Sequence, residues 1–377
     1  MDPLGPAAEP LAPKASALLD HIADDAARTD ADGVQRSTID ALARGGLLGA
    51  PLEPPSQQRE LAERLAMADG SVWFCWTQHF GCMRTLASAQ VGELSPNARG
   101  MQDRWLAGLT TGAYLGALAF AHVRRPGPPN PLATRTEDGW VVNGRLDWVT
   151  SWDIADVVMV MARGSGAWAN HFITFYLPAG HSDSSLLAGM EVGEPLRLLA
   201  MGGTHTRPIT FIDVVVPDAC VTSVQPVEAW IERDHRTTSD AGPAIFGVVR
   251  GAVSELAGVS RSPEATELAE EITSVGRELR ARAYALTDAD GDPLVRREIR
   301  AASLDLAARA AQAVVVARSG GAMLTGTSAE RRVREAMFLQ VQAQTADVRA
   351  AQLRLIRTGV GLDSADPAVV SMRTTHE

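Results

Sequence analysis

The spacing of apolar residues changes twice along this chain, and this change limits the folds that it can adopt. Up to about residue 112, apolar residues recur at helical spacing, as in Leu18 and Ile22. Residues 113–225 carry β-branched and aromatic runs separated by Gly, Pro and Asn, which are typical of strands. Long Ala-, Arg- and Glu-rich segments follow. The pattern predicts an α+β protein with an N-terminal helical domain (1–112), a central antiparallel β domain (113–225) and a C-terminal four-helix bundle (226–377).

The clearest elements can be placed by residue. The predicted strands are 140–142, 148–150, 157–161, 171–177 and 209–216, and the predicted bundle helices are 242–259, 264–286, 293–319 and 329–357. Asp138-Gly139 and Asn143-Gly144 predict two tight turns close together, and therefore an antiparallel meander. The tail from Gly361 onward is polar and is predicted to be loosely held.

Composition and charge exclude several classes of protein. The 377 residues are 46% hydrophobic, which is ordinary for a soluble globular chain. Acidic residues outnumber basic ones by 45 to 35, a net charge of −10 that disfavours binding to nucleic acid or to an anionic membrane surface. No signal peptide and no apolar segment near 20 residues is visible, and the three cysteines form no CxxC. We expect a cytoplasmic protein without nucleic-acid or membrane partners.

Common catalytic motifs are absent from the sequence. No GxGxxG follows a predicted strand, and neither GxxxxGK[ST], HExxH nor GxSxG occurs. The eight histidines are scattered singly, so no metal site is predicted. The sequence therefore gives no support to a dinucleotide-binding fold, a P-loop protein, a simple hydrolase or a metalloenzyme.

Four short phrases, in order along the chain, resemble those of the acyl-CoA dehydrogenase superfamily of flavoproteins. The phrases are Asp69-Gly70-Ser71, residues 139–151 followed by Ala155-Asp156, residues 201–206 leading into 211–217, and Gly320-Gly321 followed by 330–336. The resemblance covers nearly the whole chain, and the DGS phrase is similar to members that add oxygen. It implies an FAD cofactor, with FMN left open, and a homodimer or homotetramer.

The resemblance also implies positions for the cofactor. Trp148 and Thr150 are predicted at i and i+2 of one strand, sharing a face, so that the indole flanks the flavin ring and the hydroxyl reaches its N5 edge. Core packing is the alternative for both. Other residues that the resemblance places at the cofactor are Ser151, Thr345, the strand around Phe120 and His122, and the phosphate-facing group Arg318, Gly320 and Gly321. A plain helix C-cap is the alternative for the glycine pair.

A catalytic base is the weak point of a dehydrogenase interpretation. Removal of an α-proton needs a carboxylate, and the resemblance places it where Ala343 stands. Asp240 is the one carboxylate near a second location used by some members, but three residues before Pro243 it is also a good helix N-cap. His235 and Arg236 form a polar cluster that either faces substrate or is a solvated loop.

A dry apolar chamber is what an oxygen-adding flavoenzyme needs. The aromatic run 72–80 offers Trp76 as a wall and His79 as a hydrogen-bond donor, with His122 as a second donor. Simple core packing is the alternative for this run.

The sequence therefore predicts a flavin-dependent monooxygenase. Reduced flavin would activate O2, with electrons from a flavin reductase or from substrate, and oxygenate a small organic molecule or a coenzyme A thioester. The first alternative is an acyl-CoA dehydrogenase that forms an α,β double bond with a displaced base. The second is a flavin-free binding or assembly module.

Overall fold

The computed structural model describes residues 3–7, 10–89, 96–125, 127–128, 130–259 and 262–358. The polar tail predicted from Gly361 lies outside them. The chain divides into two compact units. The sheet unit comprises residues 12–55 and 71–233, and the helical unit comprises residues up to 11, 56–70 and those from 234 onward. The three-domain division predicted above stays a prediction.

The sheet unit contains one mixed sheet with helices before and after it in sequence. Its strands are β1 (Gly116–Ala119), β2 (Leu132–Thr136), β3 (Gly139–Val149), β4 (Val157–Gly164), β5 (His171–Pro178), β6 (Met190–Val192), β7 (Arg207–Pro217) and β8 (Val221–Pro226). The strand order is β6-β7-β3-β2-β4-β5-β8, and β1 pairs with β4. Most pairs are antiparallel, while β1 and β2 each run parallel to β4. The predicted α+β class is confirmed.

Helices of the sheet unit come mainly from the first third of the chain, as its helical spacing predicts. They are α1 (Pro13–Asp24), α2 (Ala26–Asp32), α3 (Arg36–Arg44), α5 (Gly70–Ala87, in this unit from Ser71) and α6 (Pro96–Thr111). The helix α5 is apolar on nearly all sides, with Val72, Cys75 and Leu86 fully buried. An all-round apolar helix of this kind belongs in a core.

One of the two predicted turns is confirmed and the other is wrong. Strands β2 and β3 form a hairpin whose last pair is Thr136 with Gly139. Asn143-Gly144, in contrast, lies inside β3 at a shift of its register with β7. Gly144 has a φ of 127°, and a Cβ there would lie 1.8 Å from Asn130 Oδ1. The glycine therefore serves a β-bulge with a close backbone approach rather than a turn.

The helical unit consists of packed helices. They are α4 (Pro55–Ala68, in this unit from Ser56), α8 (Pro243–Val259), α9 (Pro263–Asp288), α10 (Pro293–Arg318), α11 (Ser328–Val341) and α12 (Ala346–Thr358). The first three predicted bundle helices are confirmed as α8, α9 and α10. None of the described helices is long and apolar enough to cross a membrane.

Two predictions for the last third of the chain are wrong. The helix predicted over 329–357 is two helices, because the chain turns between Gln342 and Thr345, where Ala343 has a φ of 49°. The loop that was an alternative for 234–236 is the last part of a helix, α7 (Val227–Thr238). Polar composition alone does not separate a solvated loop from an exposed helical turn.

Candidate functional site

The end of β3 presents an exposed tryptophan beside buried hydroxyl groups. Trp148 is 45% exposed, while its neighbours Leu146 and Val149 are fully buried. Thr150 lies just after the strand and is buried, so the prediction that it shares a strand face with Trp148 is wrong. The strand ends at Val149, so the alternation of side chains does not extend to Thr150, and a register shift with β7 between Leu146 and Val149 accompanies the change of Trp148 to the exposed side.

Ser151 is a buried hydroxyl that has no hydrogen-bond partner among the described residues. Its backbone N–H donates to the Thr204 carbonyl at 2.8 Å, and its φ of 68° turns the chain away from the sheet. Its Oγ is buried and unpaired. Since buried polar groups are almost always paired, this hydroxyl needs an explanation, and a ligand atom as its missing partner is one.

Three threonines form a row of buried hydroxyls behind this position. Thr204 and Thr206 lie 2.8 Å apart between their Oγ1 atoms, and Thr206 Oγ1 lies 3.4 Å from that of Thr150. Thr204 also donates to the Met201 carbonyl at 2.7 Å. The phrase 201–206 carried no predicted role for Thr204 or Thr206, although alternate hydroxyls leading into a strand were a visible signal in the sequence.

A cavity of about 580 Å³ lies within the sheet unit. Its wall is apolar at Phe120, Met159, Met161 and Trp230, whose indole meets the Phe120 ring edge to face at 6.2 Å. The rest of the lining is Thr85, Ser88, Ala89, Thr222, Ser223, Val224, Gln225 and Arg233. Its volume is within the range of small-molecule pockets.

His122 packs beside this cavity. The strand predicted around Phe120 and His122 ends at Ala119, and residues 121–124 form one turn of 3₁₀ helix. His122 Nε2 lies 2.7 Å from the carbonyl oxygen of Met161, so this nitrogen carries a proton. Burial lowers the pKa of His122 to about 4, which leaves the ring neutral at pH 7.

The aromatic run in α5 points into the core of the sheet unit. Trp76 is 4% exposed, and its Nε1 donates to the Leu47 carbonyl at 2.7 Å. His79 is fully buried, and its Nδ1 accepts the backbone N–H of Gly116 at 3.2 Å. These contacts support the core-packing alternative; roles as a chamber wall and as an oxygen-stabilising donor stay predictions.

His79 should make folding stability depend on pH. Burial lowers its pKa from 6.5 to about 4, so the unfolded chain takes up this proton first as the pH falls from 6.5 to 4. The protein should lose unfolding free energy between pH 7 and pH 4. In His79→Asn this loss should be smaller by roughly 1–3 kcal/mol, as measured by denaturant titration. The exposed His21 provides the control, His21→Asn. If the unfolding free energy of His79→Asn depends on pH as that of the original protein does, His79 is not the group responsible.

In the helical unit, Asp240 is held by two neighbours. Its Oδ1 accepts from Arg296 Nε at 2.6 Å and from the Thr287 hydroxyl at 2.8 Å. The first contact raises the pKa of Arg296. The helix α8 begins only at Pro243, so Asp240 is not its N-cap residue. The orientation of the Asp240 carboxylate is explained by these two contacts.

His235 and Arg236 lie in the last turn of α7 and point to different partners. Arg236 Nη1 lies 3.2 Å from Asp290 Oδ2 in an exposed ion pair. His235 Nδ1 lies 4.0 Å from Asp347 Oδ2, in the first turn of α12. Thr345, predicted at the cofactor, accepts the Val348 N–H at 3.4 Å and so caps α12. Thr345 followed by Asp347 was a sequence signal for a helix start.

The residues predicted to face a phosphate, Arg318, Gly320 and Gly321, have different surroundings. Arg318 Nε pairs with Glu255 Oε1 at 2.7 Å, so its charge is compensated inside the helical unit. Gly320 and Gly321 lie in a turn of 3₁₀ helix after α10, and no atom of the described residues lies within 4 Å of where their Cβ atoms would be. The space beside the two glycines is therefore open, and their role in binding a phosphate stays a prediction.

Comparison with known proteins gives partial sequence matches. No family model matches the chain. The bovine short/branched chain specific acyl-CoA dehydrogenase is 32% identical over 85 residues, 22% of this chain and 18% of that protein. Isovaleryl-CoA dehydrogenase of Solanum tuberosum is 26% identical over 161 residues, 41% of this chain and 36% of that protein. The matches thus span between about a fifth and a third of these relatives.

Solved structures match over nearly the whole chain. An acyl-CoA dehydrogenase from Geobacillus kaustophilus matches with a TM-score of 0.73 and 15% identity, over 93% of this chain and 99% of its own. A glutaryl-CoA dehydrogenase from Mycobacterium smegmatis in complex with FADH2 gives 0.72 and 15%, over 93% and 95%. An FAD complex of PigA gives 0.71 and 16%, over 94% and 100%. The protein therefore has the fold of the acyl-CoA dehydrogenases.

Proposed function

We propose that the protein is an FAD-dependent oxidoreductase that oxidises an acyl thioester between its α and β carbons. The observation that supports this most directly is the exposed Trp148 indole at the end of β3, with the orphaned hydroxyl of Ser151 three residues on, in a fold shared with FAD and FADH2 complexes. The relatives named as acyl-CoA dehydrogenases support the thioester. This function replaces the monooxygenase as the leading interpretation.

The residues at the end of β3 fit a flavin ring. A flat ring needs an aromatic or apolar neighbour for its face and hydrogen-bond donors for its polar edge. Trp148 supplies the first, and the orphaned hydroxyl of Ser151 supplies a donor for the second. A contact between Thr150 and the flavin stays a prediction, because Thr150 does not share a strand face with Trp148. When bound, FAD would supply the acceptor for the hydride; the chain's contribution is to orient the ring and to exclude water from it.

The cavity of the sheet unit suits the acyl part of a substrate. Met159, Met161 and Trp230 offer an apolar wall, and the hydroxyls of Thr85 and Ser88 add polar contacts. Fixing the acyl group would hold its α and β carbons for reaction, which lowers the entropic part of the barrier.

A second candidate function, oxygenation through reduced flavin and O2, is favoured by one observation. Ala343 offers no acidic group, and the Asp240 carboxylate is bonded to Arg296 and Thr287. An oxygenase needs no strong base at either of these two positions. O2 and a flavin reductase would then be its partners.

Assembly into a homodimer or homotetramer is part of the proposal. The helices α10 to α12 and the turn after α10 leave large apolar side chains more than half exposed. They are Leu294, Val316, Met323, Leu324, Met337, Val341, Leu353 and Ile356. Large apolar side chains exposed in this number support a protein–protein interface on these helices. Sedimentation equilibrium of the full chain checks the assembly, and a monomer at micromolar concentration would contradict it.

Replacing Asp240 by asparagine distinguishes a structural role of this residue from a role as the catalytic base. We expect Asp240→Asn to reduce the unfolding free energy by about 1–3 kcal/mol, because the largely buried Arg296 loses the closer of two carboxylate partners and keeps the exposed Asp290. Anaerobic flavin reduction by thioester should be retained within a few-fold. Loss of reduction with unchanged stability would instead identify Asp240 as the base.

The proposed function is tested by stopped-flow absorbance of FAD-loaded protein. Anaerobic mixing with a series of saturated acyl-CoA thioesters should bleach the oxidised flavin for at least one chain length. A protein that binds FAD, resists every thioester, and forms a long-lived spectral species when its reduced form meets O2 would be an oxygenase. A protein that binds no FAD, by fluorescence quenching, would be the flavin-free module.

A further inference from the structure

The cavity of the sheet unit is lined by two kinds of side chain. Its apolar lining comes from β4, where Met159 and Met161 are two positions apart and so share a face of the strand, and from Phe120 and Trp230. Its polar lining consists of hydroxyl, amide and guanidinium groups. These are Thr85, Ser88, Thr222, Ser223, Gln225 and Arg233. A ligand that fills the cavity should therefore combine an apolar body with a polar group.

The apolar lining is held in place by aromatic packing. Trp230, on α7, meets the ring of Phe120 at 6.2 Å and that of Phe172, on β5, at 5.3 Å between centroids, both edge to face. The helix α7 is fixed at its start, where the buried Val227 donates its backbone N–H to the Asn170 carbonyl at 3.0 Å. The apolar lining is thus formed before a ligand arrives, which reduces the entropic cost of binding.

The polar lining offers hydrogen-bond donors. Ser88 and Thr222 donate their hydroxyl protons within the protein, to the carbonyls of Thr85 and Thr174. The side-chain hydroxyls of Thr85 and Ser223, by contrast, have no hydrogen-bond partner among the described residues. Both hydroxyls can therefore donate to a ligand in the cavity.

A guanidinium adds one positive charge to these donors. Arg233 donates to Gln225 Oε1, and since a guanidinium carries five N–H donors, this bond leaves others for a ligand. Because Oε1 of Gln225 is directed to Arg233, the NH2 group of the same amide remains a donor. No Asp or Glu is among the described residues that line the cavity. One cation surrounded by donors suits a ligand with a single negative charge.

We propose that this cavity binds an amphipathic monocarboxylate, with the carboxylate at Arg233 and the apolar chain against Met159, Met161 and Trp230. A planar carboxylate matches the fork of a guanidinium, and one cation balances one carboxylate but not the several charges of a phosphate-bearing ligand. The inference goes beyond the proposed function, because a free acid needs neither FAD nor a thioester bond to bind here. Such an acid would compete with the acyl part of a thioester for the same apolar lining.

The proposal is tested by isothermal titration calorimetry of the full chain, with and without FAD. The probes are the straight-chain carboxylates from butanoate to decanoate and their primary amides, which have the same chains without the charge. For the chain length that fits best, the carboxylate should bind about 10-fold or more tightly than the amide, since hydrogen bonds to charged groups are the stronger ones.

Variants of Arg233 show whether the charge is recognised there. Arg233→Gln should remove the preference for the carboxylate and leave the affinity for the amide unchanged, which also shows that the variant is folded. Arg233→Lys should keep part of the preference, because it keeps the charge without the planar fork. The control is Arg28→Gln, which alters an exposed pair with Asp25 in the same unit and should bind both probes as the original protein does.

The place of binding is checked by NMR of protein labelled with carbon-13 at its methionine methyl groups. The carboxylate should shift the signals of Met159 and Met161, assigned with Met159→Leu and Met161→Leu, and should leave the signal of the exposed Met337 unchanged. Equal affinity for carboxylate and amide, an unchanged carboxylate affinity in Arg233→Gln, or no shift at either lining methionine would overturn the proposal.

The outcome can be told apart from that of the proposed function. Carboxylate binding as described, in a protein whose flavin no thioester reduces, would support this inference and contradict the proposed function. Flavin reduction by a thioester, in a protein that binds none of the carboxylates, would support the proposed function and overturn this inference.

Discussion

Replacing Arg250 by methionine is expected to lower the unfolding free energy by about 3–5 kcal/mol, because it removes the guanidinium from buried Glu60 and leaves buried Glu63 to Arg280 and Tyr284. Arg250, on α8, is fully buried and donates to Glu60 at 2.9 and 3.0 Å and to Glu63 at 2.8 Å. Both glutamates, on α4, are also buried. Burial raises the pKa of Glu63 even with Arg280 and Tyr284 bonded to it.

The matched control for this prediction is Arg282→Met. Arg282 pairs with Glu278 at 3.7 Å on the surface of α9, and such a pair contributes about 0–1 kcal/mol. Denaturant titration of both variants, in the FAD-free chain, makes the comparison. A double variant, Arg250→Met with Glu60→Gln, should recover part of the loss since one unpaired charge is removed. Equal stability of Arg250→Met and Arg282→Met would contradict this account.

Replacing Trp148 by alanine is expected to weaken FAD binding by about 10- to 100-fold, since an aromatic surface against the flavin is lost. The unfolding free energy of the FAD-free chain should fall by only about 1 kcal/mol, because nearly half of the indole is already exposed. Fluorescence titration of the FAD-free protein with FAD measures the affinity.

Trp168→Ala is the control for the affinity measurement. Trp168 lies in the same unit and packs against Trp140 at 5.7 Å and His171 at 5.3 Å between ring centroids. We expect its loss to reduce stability and to leave FAD affinity within about two-fold. Unaltered FAD affinity in Trp148→Ala would place the flavin elsewhere.

Local sequence was sufficient where a single physical preference dominates. The helices α8, α9 and α10 follow from Pro at the first turn, long apolar periodicity and breaks at their ends, and Asp292 caps α10 by accepting the Leu294 N–H at 2.8 Å. The hairpin of β2 and β3 follows from a two-residue turn between alternating strands. In both cases the decisive contacts lie within a few residues of one another.

The site depended on contacts between residues far apart in sequence. Asn143-Gly144 has a turn composition, yet pairing with β7 and the nearby Asn130 make it a bulge. Trp148 and Thr150 have strand composition, yet β3 ends at Val149, and Trp148 is exposed while Thr150 is buried.

The sequence by itself determined the α+β class, the order of helical and strand segments, and the residues that resemble a flavin site, because periodicity and short phrases are local properties. Only the tertiary structure decided that Asp240 is bonded to Arg296 and that His235 faces Asp347. These partners are separated by 56 and 112 positions, and a charge finds its partner through space rather than along the chain.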